Sequence, residues 1–216
     1  MSGIVESVNV GAPQPVEANG HTVLTAIWKH PVEGRVPVRG VNLRGDDQAD
    51  RSVHGGPDKA VYAYAAEDAQ WWEDELGRRL DDAPFGENLT TRSLPVSEAV
   101  IGERWEVGSA LLEVAQPRLP CFKLGLRMGD RLFPKRFAAA GRPGAYLRIV
   151  REGDIGAGDP IEVVSRPAHG VTSALVSRAL VGEPELLPEA LAATELPAAL
   201  REWMAERAEH AAARRS

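Results

Sequence analysis

"RWEVGSALLEVAQPRLPCFKL", residues 104–124, is the stretch on which the reading of this chain turns. Its first thirteen residues read as a hairpin, two β-rich arms around Gly108-Ser109. The second arm runs straight into Pro117 and Pro120, which fix φ and remove two backbone donors. The segment after it is therefore expected as a stiff loop at a strand end, neither helix nor central strand. That loop carries Cys121, the sole cysteine of the 216 residues. Free cysteine is among the most buried residue types, so Cys121 fits a core position as a small apolar side chain. Positive charge from Arg118 and Lys123, if close in space, suits a thiolate, which is a nucleophile or a soft metal ligand. The segment alone leaves both readings open.

Outward from the hairpin, most of the chain reads as strands and loops. "GIVESVNVG" alternates apolar and polar positions and stops at Gly11, as a half-buried strand does. "EGRVPVRGVNLRGDD" is broken by Pro37, Gly40 and Gly45 into short strands with bends. "KAVYAYA" is a further strand, followed by a helix expected over Ala66 to Leu80 with Trp72 and Leu76 on its core face. "GAYLRIVREGDIGAGDPIEVVSR" supplies two or three more strands between glycine-rich turns. Many short strands with this punctuation predict a mainly β, α+β fold with a barrel-like sheet and peripheral helices. After Pro167 the composition turns helical and alanine-rich, so a barrel domain over 1–167 and a small three-helix appendage over 168–216 are expected.

A net charge of −6 argues against nonspecific nucleic-acid binding, although it leaves room for a local basic pocket. One cysteine forms no internal disulfide, so the fold needs no oxidising compartment. With neither a signal-peptide pattern nor a membrane-spanning run, a cytoplasmic protein without membrane contact is expected. Two further segments carry polar loop residues. His54-Gly55-Gly56-Pro57 is a tight turn whose glycines let backbone N–H groups approach an anion, or a plain turn with a solvent-facing histidine. Gly86-Glu87-Asn88 sets a carboxylate and an amide beside a permissive glycine. The five scattered histidines have no zinc-ligand spacing, and there is no Walker A loop or Rossmann fingerprint.

Taken in order, "SVNVG", "VNLRGDDQADRSVHGGPDKAVYAY", "FGENLTT", "IGERWEVGSALLEVAQPRLPCFKL" and "GAYLRIVREGDIGAGDPIEV" resemble the MOSC domain, the molybdenum cofactor sulfurase C-terminal type, in its bacterial YiiM-like branch. The resemblance spans roughly residues 2 to 165, and the tail is similar to the three-helix domain that ends such proteins. It implies a β-barrel that binds the molybdenum cofactor (Mo-molybdopterin), with Cys121 as thiolate ligand to the metal. By the same resemblance Arg118 and Lys123 serve the cofactor phosphate or balance charge at the metal, and Asn88 hydrogen-bonds the pterin. Glu87, Lys29 and Arg148 fall on cofactor-side positions, and His54 lines the substrate side and relays a proton. The implied reaction is reduction of N-hydroxylated small molecules, such as hydroxylaminopurines or amidoximes. Electrons then come from a separate reductase, because one cysteine cannot hold an iron–sulfur cluster. Two other readings fit a lone loop cysteine: a sulfur carrier with a Cys121 persulfide, and a metal-free enzyme using Cys121 with His54.

Overall fold

The computed structural model describes residues 2–18, 20–49 and 55–213. The long strand β1 (Ser2–Val10) is followed by a hairpin of β2 (Gln14–Ala18) and β3 (His21–Thr25). Then come β4 (His30–Pro31), β5 (Arg35–Arg39), β6 (Asn42–Leu43), β7 (Val61–Ala65), helix α1 (Ala66–Leu76) and β8 (Leu89–Arg92). The expected hairpin is β9 (Arg104–Val107) and β10 (Ala110–Gln116), paired antiparallel with Ala110 opposite Val107. Two short helices, α2 (Phe122–Met128) and α3 (Phe133–Ala139), precede β11 (Ala145–Arg151), β12 (Gly153–Gly156) and β13 (Pro160–Ser165). Helices α4 (Ser173–Val181), α5 (Leu187–Ala190) and α6 (Ala198–Ala213) complete the chain.

Seven strands close into a barrel in the order β13-β9-β10-β11-β7-β8-β1, and β1 returns to β13 with Ser2 opposite Glu162. This is the mainly β barrel with peripheral helices that the sequence predicts. Every neighbouring pair in the ring is antiparallel except β7 and β8, which run parallel and are joined through α1, since parallel strands need a crossover. Strand β9 alternates as the pleat requires: Trp105 and Val107 are buried while Arg104 and Glu106 are exposed. Inside, Val5, Leu89, Trp105, Leu112 and Leu147 belong to one apolar core. Burying one such side chain contributes about 1.5–3 kcal/mol.

Strand β7 is buried on both faces. Val61, Ala63 and Ala65 face the barrel core. Tyr62 and Tyr64 enter a second, aromatic cluster with Trp72, Phe85, Phe133 and Phe137, built between α1, α2 and α3. The Trp72 indole N–H donates to the Tyr64 hydroxyl at 3.1 Å, so the polar tips of two large side chains satisfy each other. This layer carries the loops that hold the candidate site.

Three details differ from expectation. Helix α1 stops at Leu76 and not Leu80, because Gly77 takes a left-handed conformation (φ 63°) and closes the helix with its N–H on Asp74. The loop after β10 is short: Cys121 is the residue before α2, so Phe122, Lys123 and Leu124 are helical. Helix α3 was not anticipated either. In the C-terminal part, Val171, Val176, Leu180, Leu187 and Met204 are continuous with the barrel core. Thr172 caps α4 by accepting from the Leu175 N–H at 3.2 Å. Among the described residues, no helix is long and apolar enough to cross a membrane.

Candidate functional site

A cleft with about 610 Å³ of empty space, part of it open to solvent, brings Lys29, Asn88, Arg118, Cys121 and Lys123 together. These five come from three segments far apart in sequence. The remaining expected residues lie elsewhere: Glu87 is buried behind the Phe85-Gly86 wall, Arg148 stands off the cleft, and His54 is outside the described residues.

Arg118 is the most constrained member. Its side chain is buried, its Nη1 donates to the Phe85 carbonyl at 2.6 Å, and its guanidinium lies 5.2 Å from the Tyr62 ring centre and 5.7 Å from that of Phe137. Burial opposes the charge, but Tyr62, Tyr146 and Cys121 around it outweigh that effect and hold its pKa above the ordinary arginine value. Among the described residues no carboxylate forms an ion pair with it. Buried charges are ordinarily paired, so this guanidinium is poised for an anionic partner in the cleft. Cys121, three residues on, is half-buried and lines the same cleft.

The opposite wall is a hydrogen-bonded set around Asp46. The Lys29 ammonium pairs with Asp46 Oδ1, which also accepts from the Gly11 N–H at 2.9 Å. Asn88 Nδ2 donates to Asp46 Oδ2 at 2.9 Å and to the Asn9 carbonyl at 3.2 Å, while its Oδ1 accepts from the Tyr62 N–H at 3.0 Å. Both amide hydrogens of Asn88 are thus engaged by protein. Burial lowers the Lys29 pKa, with the Asp46 charge acting against that shift. Gly86 takes φ 74°, and a Cβ there would stand 2.9 Å from Ile27 Cγ1, so glycine is required where this loop crosses the cleft.

Glu87 is fully buried, and burial pushes its carboxyl up to about 7 against the backbone donors of Glu87 and Phe85 and the Arg118 charge. Arg148 reaches Asp58 and Glu113, the latter at 2.9 Å, and so anchors the Pro57–Lys59 turn whose Lys59 does line the cleft. Sequence reading missed Asp46, Lys59, Tyr62 and Tyr146. The two tyrosines carried only a strand signal, because their pairing in the β7–β11 register arises once the sheet forms. Asp46 carried no signal, since "RGDD" reads as an exposed turn.

Four cations (Lys29, Lys59, Arg118, Lys123) and two carboxylates (Asp46, Asp47) line the cleft, so its field favours an anionic ligand. Among the described residues, no group of three or more His, Cys, Asp or Glu could hold a metal ion. A metal bound at Cys121 by these residues would have to bring most of its ligands with it, as a pterin dithiolene does. The donor set therefore fits such a group: one thiol, a surplus of cations and few competing protein ligands.

The MOSC domain profile matches residues 50–162. The Bacillus subtilis protein YflK is 38% identical over 81% of this chain and 79% of its own. A Gibberella moniliformis protein named "Reductase" is 34% identical over 69% of this chain, which spans only 27% of that longer protein. The crystal structure of YiiM from Geobacillus stearothermophilus superimposes with a TM-score of 0.77 and 29% identity, covering 95% of this chain and 99% of that one. With the profile spanning more than half of its length and the seven-stranded barrel formed around it, this chain belongs to the MOSC domain family.

Proposed function

We propose that this chain binds the molybdenum cofactor and reduces N-hydroxylated small molecules, with Cys121 as thiolate ligand to the metal. The observation that carries the reading is the pairing of a buried Arg118, without a carboxylate ion pair among the described residues, with a half-buried Cys121 in one cation-lined cleft. The fungal relative named a reductase supports redox chemistry. When bound, the cofactor supplies the two-electron reduction of the N–O bond, the part of the reaction no side chain here can perform. In balance, R–NH–OH takes two electrons and two protons and gives R–NH₂ and water.

The protein's own residues bind and orient. Arg118 and Lys123 hold anionic groups at the Cys121 end, Arg118 as a rigid donor fork and Lys123 as a point charge. Lys29 presents an ammonium at the other wall, steadied by Asp46. Asn88 acts through Asp46, and Arg148 through Asp58, as positioning residues. Glu87, behind the wall, is held by burial largely in its uncharged form below about pH 7. His54 remains the proposed proton relay.

Metal analysis of freshly purified protein expressed with molybdate is the test. Wild-type protein is expected to carry molybdenum, and Cys121→Ala to lose most of it. Absence of molybdenum together with failure to load the cofactor would overturn the reading. A +32 mass adduct on Cys121 without metal would support sulfur transfer instead.

A further inference from the structure

We propose that the surface formed by α2 and α3 is the docking face for an acidic protein that carries a one-electron redox group. The proposal rests on the reductase reading, and it concerns residues outside the cleft. Between Arg118 and Arg142 the chain has seven cationic residues and one acidic residue, Asp130, whereas the whole chain is at −6. Positive charge is thus concentrated on one segment of an acidic protein. Several of these cations are already committed: Arg118 is buried, Arg127 pairs with Asp81 at 2.8 Å, Arg142 pairs with Asp68, and Arg136 is 3.5 Å from Asp130. Arg131, Lys135 and Arg136 are exposed.

The same segment exposes large apolar side chains. Phe122 is 55% exposed, Leu132 69% and Leu119 43%. Gly125, one turn along α2 from Phe122, is packed against the 130–134 turn, where an added Cβ would meet the Asp130 carbonyl at 2.9 Å. That contact brings Leu132 and the cations of α3 beside the exposed start of α2. An apolar centre with a basic margin is the arrangement of a small, transient interface, in which charge steers encounter and apolar contact completes it.

The position of this patch selects the partner. Phe122 is bonded to Cys121, so a protein seated on Phe122 brings its redox group to the side of the cleft where the sulfur lies. The reaction needs two electrons per N–O bond, and a chain with one cysteine cannot hold an iron–sulfur cluster of its own. Two encounters with a reduced one-electron carrier, such as a [2Fe–2S] protein, supply them, and each oxidised carrier leaves. An extended polyanion such as DNA suits the patch less well, because the rest of the surface repels it and Phe122 and Leu132 have no phosphate to meet. Anionic lipid is the competing occupant, and it lacks any electron to deliver.

The probe is an acidic plant-type [2Fe–2S] ferredoxin, with binding to the full chain measured by titration calorimetry at low salt and at about 0.5 M salt. Wild-type protein is expected to bind, and to weaken at least about tenfold at the higher salt. R131E/K135E is expected to weaken binding by at least about tenfold, and F122S by several-fold, with unchanged thermal unfolding. R207E, on α6, is expected to leave it within about twofold. Turnover driven by reduced methyl viologen, a small donor that needs no docking face, is expected to be the same in R131E/K135E as in wild type. Ferredoxin binding unchanged in R131E/K135E would overturn the proposal. So would equal binding of a DNA duplex or of phosphatidylserine vesicles that R131E/K135E also abolishes. If viologen-driven turnover is absent while ferredoxin binding follows the expected pattern, the reductase reading fails and the docking face stands.

Discussion

Asn88 donates an amide hydrogen to the Asp46 carboxylate at 2.9 Å, and the other oxygen of that carboxylate holds Lys29. A loop residue before β8, together with the Gly11 N–H on the same carboxylate, therefore fixes where the ammonium stands on that wall of the cleft.

Removing one partner of the buried Lys29–Asp46 pair leaves the other charge unpaired. Lys29→Met and Asp46→Asn are each expected to cost about 3–5 kcal/mol. The double variant is expected to cost less than the sum of the two, because neither charge then remains alone. Urea denaturation of the four proteins closes the cycle. Additive losses would show that the two side chains act independently.

Arg118 is expected to behave in the opposite way. Among the described residues it has no carboxylate ion pair, and a linear apolar replacement gives up its Phe85 hydrogen bond and two ring contacts but also removes a desolvated charge. Arg118→Met should therefore change stability by less than about 1.5 kcal/mol, or raise it. Molybdenum content should fall at least about tenfold in the same variant, measured on protein purified in parallel with wild type. A folded Arg118→Met protein with full metal content would remove Arg118 from the site.

Glu87 makes stability depend on pH with a definite sign. Burial pushes its folded carboxyl up to about 7, from an ordinary value of 4.5. Between those values the unfolded chain has lost the proton and the folded chain keeps it. The contribution is fully present below about 4.5 and is lost as pH rises through 7, by roughly 3 kcal/mol in all. Glu87→Gln is expected to abolish this component. Its stability relative to wild type should therefore increase between pH 4.5 and 7, read from denaturant midpoints across that range.

The C-terminal helices share the barrel's core, since Val176, Leu180 and Met204 join the cluster that contains Leu112 and Ile161. Hydrogen bonds cross as well: the Ile101 N–H donates to the Val171 carbonyl at 2.9 Å, and Ser173 Oγ donates to the Gly144 carbonyl at 2.6 Å. Full-length protein is expected to melt in one calorimetric transition. Truncation after residue 167 should lower the midpoint by more than about 10 °C or prevent folding. Two separate transitions in the full chain would make the helices an independent unit.

What the sequence disclosed follows from where local pattern and tertiary context agree. β1 and the β9–β10 hairpin have clear periodicity and turn residues, and both form as expected. α2 and α3 were invisible because each has only seven residues, too few for a helical period to stand out between Gly125, Gly129 and Pro134. The cleft residues Arg118, Cys121 and Lys123 were found because proline and charge mark their loop. Asp46 was not, because its burial comes from Asn88 and Lys29, which meet it only when the barrel closes.

The barrel closes where it begins. Ser2 lies opposite Glu162 and Ile4 opposite Pro160, so the first and last strands start and finish side by side. A polypeptide joined before residue 2 and after residue 165 would enter and leave at neighbouring points, on strands paired with each other. The barrel is in this sense a cassette. It can be carried inside a longer chain, provided the helices that follow residue 167 still pack on its core.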